Sequence, residues 1–133
     1  MNSALSTALK STPLHVAFAF LAMGGWAIYA NGAHSMPKPL LAGLVQGSIS
    51  AGLTLFLKRA VDWMRPKFGI GLGHVAPALI ASLASASLLV IAHLLAGTPE
   101  IVKTIGIPLL VSASYIFSYN FITQWRAKEE PHE

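Results

Sequence analysis

Cysteine is absent from all 133 residues of the sequence, which excludes a disulfide framework and a thiolate metal site. Histidines at metal-ligand spacing, paired carboxylates, and an arrangement of serine, histidine and aspartate are also missing. These residue types carry much of the metal and hydrolytic chemistry of proteins. We therefore predict that the protein is not an enzyme and holds no metal or cofactor.

Charge is scarce, since 11% of the residues are Asp, Glu, Lys or Arg and 54% are hydrophobic. A typical soluble domain has roughly 25% charged residues. The charge-free stretches run from Ser11 to Pro37, from Pro39 to Leu57, from Phe68 to Pro99 and from Thr104 to Trp125. Each is at or above the roughly 18 to 20 residues that a helix needs to cross a bilayer. The period-two alternation of a membrane barrel is missing, so the sequence predicts an all-α polytopic membrane protein with four transmembrane helices.

Prolines and small polar residues predict where these helices begin, because a first-turn proline loses no helical hydrogen bond and a preceding hydroxyl caps free amides. Thr12-Pro13, Ser35-Met36-Pro37 and Thr98-Pro99 have this pattern. The predicted helices cover about residues 13–33, 37–57, 74–96 and 99–125 of one transmembrane domain, 1–133. A cytoplasmic basic loop, 58–73, and a cytoplasmic tail, 126–133, which is predicted to be disordered from Lys128 onward, complete the predicted chain.

Basic residues predict the orientation of the helices in the membrane. Lys38 and Lys103 fall on one side of a four-helix zigzag. The other side receives the remaining basic residues, which are Lys10, Lys58, Arg59, Arg65, Lys67, Arg126 and Lys128. Loops rich in Lys and Arg stay in the cytoplasm, so both termini are predicted to be cytoplasmic, in a bacterial-type inner membrane.

Two pairs of segments suggest an internal repeat. "HVAFAFLA" from His15 is similar to "HVAPALIA" from His74, and the run from Pro39 aligns without a gap with the run from Pro108. Two tandem helix pairs would have the same orientation in the membrane, because each pair returns the chain to its starting side. The alternative is that the segments match by chance, because apolar segments use only a few residue types.

Small residues recur at four-residue spacing in the second and third predicted helices. The second helix has Gly43, Gly47 and Ala51, and the third has Ala78, Ser82 and Ala86. Small residues in this register let helix backbones approach closely within a membrane. We predict packing seams within the bundle, with a homodimer contact as the alternative.

Polar side chains inside the predicted spans are few, and they are Gln46, Asn120 and Gln124. An amide in hydrocarbon needs a hydrogen-bond partner, so we predict interhelical hydrogen bonds, with ligand contact as the alternative. His15 and His74 are expected at the cytoplasmic interface, and His93 among the headgroups at the opposite surface. No carboxylate falls at mid-membrane depth, which weighs against a small multidrug exporter.

The stretch "LKRAVDWMRPKF" combines basic and aromatic residues between the second and third helices. Such segments attract anionic lipid headgroups, at about 1 kcal/mol per basic residue. We predict membrane lipids, and no nucleic acid, as partners. The predicted lipid-phosphate ligands are Lys58, Arg59, Arg65, Lys67 and Arg126. The alternative is that these charges act as a topology signal alone.

The second and fourth helices end in "TLFLKRAVDW" and "YNFITQWRAK", where an apolar run becomes aromatic and basic. With four helices and both termini inside, the chain resembles the GtrA-like family, in which an Asn-Phe pair precedes such an ending, as Asn120-Phe121 does here. The chain departs from the family in helix 2, where Thr54-Leu55-Phe56 contains no asparagine, and in helix 1, which lacks a Phe-x-x-Val-Gly opening.

The resemblance implies a part in moving polyprenyl-phosphate-linked sugars across the inner membrane, as a flippase in polysaccharide biosynthesis. Our leading hypothesis is therefore a membrane protein that binds or translocates an anionic lipid-linked substrate. Two alternatives stay open. One is a non-catalytic accessory subunit of a larger membrane complex, and the other is a homo-oligomeric channel or exporter of small solutes.

Overall fold

The computed structural model describes residues 11–69 and 71–129. Within this part of the chain the protein is helical and has no strand. The four main helices are α1 (Thr12–Ala30), α2 (Lys38–Met64), α3 (Ala76–Leu95) and α4 (Ile101–Glu129). All four are long and apolar enough to cross a membrane, which confirms the predicted all-α membrane fold.

The helix ends differ from the predicted bounds most clearly in α2. This helix continues past Leu57 to Met64, and a short 3-10 helix, Arg65–Lys67, follows it. Lys58, Arg59 and Ala60 are good helix formers, and the next proline is Pro66, so nothing stops the helix where the charges begin. The first seven residues of the predicted loop 58–73 therefore belong to α2.

The end of α4 shows the same effect. Residues 126–129 of the predicted tail are helical, and the side chain of Trp125 donates a hydrogen bond to Glu129 across one helical turn, at 2.7 Å. Residues 130–133 of that tail and Lys10 lie outside the described residues. A charged residue thus marks the end of a hydrophobic span but not the end of a helix.

Glycines bring α1 and α2 into close contact. A Cβ atom on Gly24 would lie 2.9 Å from the carbonyl oxygen of Gly43, and one on Gly47 would lie 2.8 Å from the carbonyl oxygen of Phe20. Real Cβ atoms do not approach backbone atoms this closely, so the two helices can pack at this distance only with glycine at these positions. The structure places Gly43 and Gly47 in this interface and leaves Ala51, one turn further, partly exposed.

Small residues of α3 face the centre of the bundle at its basic end, which we define as the end that carries Lys58, Arg59 and Arg65. Ala78 and Ala81 pack there with Leu57, Val61 and Ile116 in an apolar core formed by α2, α3 and α4. The buried row continues along α3 through Ser85 and Leu89. Ser82 and Ala86 lie beside this row and are partly exposed.

The structure gives the internal repeat no support. The aligned prolines lie in different parts of their helices, because Pro39 is in the first turn of α2 and Pro108 is inside α4. The two histidines at the other match also differ, since His15 is in α1 and His74 ends a 3-10 turn before α3.

Candidate functional site

A cavity of about 610 Å³ lies between α1, α2 and α4 in the half of the bundle toward the basic end. One face of α1 forms its first wall, with Thr12, His15, Ala19 and Met23. The α4 wall consists of Pro108, Val111, Ser112 and Tyr115. The floor consists of Leu89 from α3 and seven residues of α2, Ser50, Leu53, Thr54, Leu55, Leu57, Lys58 and Arg59, followed by Asp62 at the rim.

Below the cavity, α1 and α4 are held together near the opposite end of the bundle, where α1 ends and α4 begins. The indole of Trp26 donates to the carbonyl oxygen of Lys103 at 2.9 Å, and the amide of Asn31 donates to the hydroxyl of Thr104 at 2.8 Å. Pro108 follows Thr104 by one turn and already lines the cavity. A proline has no N–H to complete the helical bond to the residue four before it, which favours a bend in α4 at this point.

Asn31 is fully buried and was not predicted from the sequence as a residue of interest. Its side-chain oxygen accepts from the backbone N–H of Glu100 at 3.0 Å, and its amide also donates to the carbonyl of Ala27 at 2.8 Å. Asn31 follows the last residue of α1, and this position is the one sequence signal for it, since asparagine is common just after a helix.

The rim of the cavity at the basic end has an excess of positive charge. Lys58 and Arg59 are exposed and line the cavity. Asp62, the one acidic residue at the rim, is already engaged, because it accepts from the hydroxyl of Tyr119 at 2.8 and 2.9 Å and pairs with Arg65 at 3.1 Å. Lys58 and Arg59 are therefore the rim cations that form no ion pair within the described residues.

The deep end of the cavity, which we define by Ser50, Thr54 and Ser112, carries hydroxyl groups. Thr54 donates to the carbonyl of Ser50 at 2.8 Å, and Ser112 donates to the carbonyl of Leu109 at 3.3 Å. Several cavity residues on α1, α2 and α4 are exposed, so the space is open at the side of the bundle. The arrangement thus offers two cations at the rim, hydroxyls inside, and access from the surrounding medium.

The other predicted phosphate ligands lie at the same end of the bundle but outside this cavity. Arg65 is partly buried and donates through its Nε atom to Asn120 at 3.3 Å. Lys67 lies over the ring of Trp63. Arg126 is exposed on the last turns of α4. The structure therefore brings together two of the five predicted ligands.

Asn120 and Gln124 connect α4 to the turn before α3. Asn120 is fully buried, and its amide donates to the carbonyls of Gly73 at 3.0 Å and His74 at 2.6 Å. Gln124 donates to the same Gly73 carbonyl at 3.2 Å. Both amides therefore bond to the backbone of a turn, and not to another transmembrane helix as predicted.

Gln46 and His93 form a buried contact between α2 and α3. The prediction that His93 lies among headgroups is wrong, because the ring is fully buried. Its Nε2–H donates to the Gln46 side-chain oxygen at 2.9 Å, and the Thr98 hydroxyl donates to its Nδ1 at 2.7 Å. Gly97 adopts φ 66° and turns the chain back so that Thr98 reaches the ring.

No protein-family model, curated protein or solved structure matches this chain. The case for a function therefore depends on the geometry of the cavity and the charges around it. The resemblance to the GtrA-like family stays a prediction from the sequence.

The opposite end of the bundle gives a prediction about acid stability. His34 hydrogen-bonds to Glu100 at 3.0 Å, and this bond, with a smaller contribution from Lys103, lowers the pKa of Glu100 below its ordinary value. A lowered folded-state pKa means that the contact stabilises the fold above the ordinary pKa and is lost as the pH falls through the folded one.

We therefore expect the melting temperature of the wild type to fall more than that of His34→Ala between about pH 5 and pH 3. Thermal unfolding in detergent across this range measures the difference. His15→Ala, which removes another histidine of the first half of the chain, serves as the control and should follow the wild type. Parallel curves for the wild type and His34→Ala would contradict the role of this pair.

Proposed function

We propose that the protein binds an anionic lipid-linked substrate, such as a polyprenyl-phosphate sugar, and translocates it across a bacterial inner membrane. The observation that carries this proposal is the position of Lys58 and Arg59 at the rim of an open cavity of about 610 Å³. The proposal assigns no chemical reaction to the protein.

The phosphate belongs at the rim. Hydrogen bonds from Lys and Arg to phosphate are charge-assisted and stronger than neutral ones, and Arg can bind two phosphate oxygens at once. Asp62 would repel an anion if it were unpaired, but Tyr119 and Arg65 already engage its carboxylate. The charge balance at this point therefore favours an anion.

The polar group beyond the phosphate belongs inside the cavity. A volume of about 610 Å³ lies in the range of about 300–1,000 Å³ that small-molecule pockets have. The hydroxyls of Ser50, Thr54 and Ser112 and the ring of Tyr115 line this space, and they suit a ligand group that is itself rich in hydroxyls.

The lipid chain belongs outside the cavity. A polyprenyl chain is too long for this volume, and the flanks of α1 and α4 expose large apolar side chains, among them Phe18, Leu21, Leu110 and Phe121. An opening at the side of the bundle lets the head group enter while the chain stays in the hydrocarbon of the bilayer. The ligand class that fits all three regions is an amphiphile with an anionic linkage.

The proposed orientation places the rim in the cytoplasm. Lys58, Arg59, Arg65, Lys67 and Arg126 all lie at the basic end of the bundle, and clusters of Lys and Arg stay on the cytoplasmic side. Both termini would then be cytoplasmic. A substrate made in the cytoplasm would meet Lys58 and Arg59 first.

The test of the proposal is mass spectrometry of the lipids that stay with the purified protein, compared with the whole membrane extract. We expect enrichment of a polyprenyl phosphate or its glycosylated form in the wild type. The double variant Lys58→Ala/Arg59→Ala should lose this enrichment at least tenfold, because each charge-assisted hydrogen bond contributes about 1.5–3 kcal/mol.

The matched control is Lys67→Ala/Arg126→Ala, which removes the same charge from the same end of the bundle but leaves the cavity rim intact. It should retain the lipid. Bulk phospholipid in all three proteins would overturn the proposal and favour the accessory-subunit hypothesis. An equal loss of lipid enrichment in both double variants would mean that Lys58 and Arg59 act only through the overall charge of this end of the bundle.

A further inference from the structure

Four polar side chains form a continuous hydrogen-bonded chain inside the bundle. Thr98 donates to His93 at 2.7 Å, His93 donates to Gln46 at 2.9 Å, and the Gln46 amide donates to the Ser50 hydroxyl at 3.0 Å. All four residues are less than 9% exposed. This chain, which we name the His93 chain, connects α2, α3 and the connection between α3 and α4.

The two ends of the His93 chain lie in different places. Ser50 lines the deep end of the cavity, and Leu89, one turn before His93 on α3, also lines it. Thr98 lies in the connection to α4, near the opposite end of the bundle. His93 therefore lies between the cavity and the far side.

Each hydrogen bond in the His93 chain is donated in the direction that leads from Thr98 toward the cavity. A neutral ring fits this arrangement, with Nε2–H donating to Gln46 and Nδ1 accepting from Thr98. The hydroxyl of Ser50 accepts from Gln46, so its own hydrogen is available to an acceptor in the cavity. An anion at the deep end would complete the chain as its final acceptor.

His93 is the one titratable side chain among the fully buried residues of the described part of the chain. The charged and titratable groups nearest to the His93 chain lie beyond its two ends. They are Tyr29, His34, Lys38, Glu100 and Lys103 at the opposite end, and His15, Lys58, Arg59, Asp62 and Tyr115 around the cavity.

The ammonium of Lys58 lies on the side of the basic end, over the ring of Tyr119 and 5.5 Å from its centroid, and so it does not pair with a group at Ser50. The backbones of Ser50 and Lys58 are eight residues apart on α2, which corresponds to about 12 Å along a helix. An anionic group that moves from the rim toward the middle of the membrane leaves its counter-charge behind, and an unpaired charge at that depth is costly. The translocation step in the proposed function therefore needs a second positive charge near Ser50.

We propose that His93 supplies this charge by binding a proton when the anionic group of the substrate reaches the deep end of the cavity. The proton comes from water at the opposite end and binds Nδ1, while the Thr98 hydroxyl turns from donor to acceptor. Imidazolium then polarises Gln46 and Ser50 toward the anion. When the anion leaves, Nδ1 returns the proton to water.

This inference rests on the proposed function and adds proton coupling to it. A side-chain amide such as that of Gln46 does not carry a proton readily, so the proton stays on His93 and does not pass into the cavity. Proton binding and anion binding then strengthen each other by the same factor, as linkage requires. The affinity of the deep end for an anion is therefore higher at low pH than at high pH.

The experiment is calorimetric binding of farnesyl-phosphate glucose diester to the purified protein in detergent, from pH 5.5 to pH 8. A phosphodiester does not titrate in this range, so a pH effect belongs to the protein. We expect the Kd of the wild type to rise with pH by up to about tenfold per unit, the slope for one proton. Titration in two buffers of different ionisation enthalpy should show the uptake of up to one proton.

The variants locate the proton. His93→Gln should bind the probe with a Kd that does not change with pH and should take up no proton. His34→Gln and His74→Gln, which lie outside the cavity, should keep the wild-type slope. If His93→Gln does not fold, a slope that persists in each single glutamine variant of His15, His34, His74 and His132 still locates the proton, because histidine alone among unperturbed side chains changes charge between pH 5 and pH 8.

The outcomes separate the inference from the proposed function. Binding of the probe without proton uptake, or a slope that disappears in His15→Gln or His34→Gln, would overturn the role of His93 and leave the proposed function standing. A wild type that does not bind the probe at any pH would overturn both. Proton uptake that only His93→Gln removes would support both.

Discussion

The Gly47→Val protein is expected to unfold at a lower temperature than the wild type. A Cβ atom at this position would lie 2.8 Å from the carbonyl oxygen of Phe20 and 3.1 Å from its ring. The ring can turn away, but the carbonyl belongs to the backbone of α1 and moves only with the whole helix. Overpacking of this kind costs about 1–3 kcal/mol, and the separation of α1 from α2 places the result at the upper end.

Thermal unfolding in detergent, followed by tryptophan fluorescence, measures this loss. The matched control is Gly52→Val on the same helix, where a Cβ atom has no neighbouring atom within 4 Å. Because glycine is a weak helix former, the control should be no less stable than the wild type. Equal melting temperatures for the two valine variants would show that α1 and α2 are not in close contact at Gly47.

The Asn120→Leu protein is expected to be destabilised by about 2–4 kcal/mol, since the substitution leaves several polar groups without their partners. The His74 carbonyl loses its side-chain donor, the Gly73 carbonyl keeps only Gln124, and the Nε of Arg65 loses its acceptor. A typical hydrogen bond between membrane helices contributes only about 0.6 kcal/mol. The larger value follows because each buried group left unpaired costs about 1–3 kcal/mol.

Gln124→Leu is the control for this variant, because Gln124 is partly exposed and donates one hydrogen bond, to the same Gly73 carbonyl. It should lose less than half as much stability as Asn120→Leu. Chemical or thermal unfolding of the two variants beside the wild type gives the comparison. A smaller loss in Asn120→Leu than in Gln124→Leu would mean that Asn120 does not hold α4 to the turn before α3.

The four spans could be predicted from the sequence because hydrophobicity and charge act along the chain. A stretch without charge from Phe68 to Pro99 is sufficient to predict a membrane helix, whatever its neighbours are. The ends of α2 and α4 could not be predicted in this way. Lys58 and Arg126 end the apolar spans, but both residues are good helix formers, so the helices continue past them. Charged residues predict where the chain leaves the membrane, whereas prolines and helix propensity determine where the helix ends.

The candidate site was predictable at its rim and not at its walls. Lys58 and Arg59 belong to the five basic residues that the sequence predicts as phosphate ligands, but the sequence does not separate them from Arg65, Lys67 and Arg126. The facing sides of α1 and α4 depend on the rotation of each helix, and the sequence of a uniformly apolar helix has no periodicity that indicates this rotation. The pairing of His93 with Gln46 joins residues 47 positions apart, so it appears only in three dimensions.

The position of Asn31 has a consequence for how the chain assembles as it leaves the ribosome. The glycine contact between α1 and α2 can form as soon as those two helices have been inserted. The acceptor and donor that satisfy Asn31, at Thr104 and Glu100, follow it by 73 and 69 residues. At a synthesis rate of roughly 5–20 residues per second, Glu100 and Thr104 are made several seconds after Asn31. Until the fourth helix is inserted, the side chain of Asn31 therefore has only its hydrogen bond to the carbonyl of Ala27, within α1, and its contacts across the bundle are incomplete.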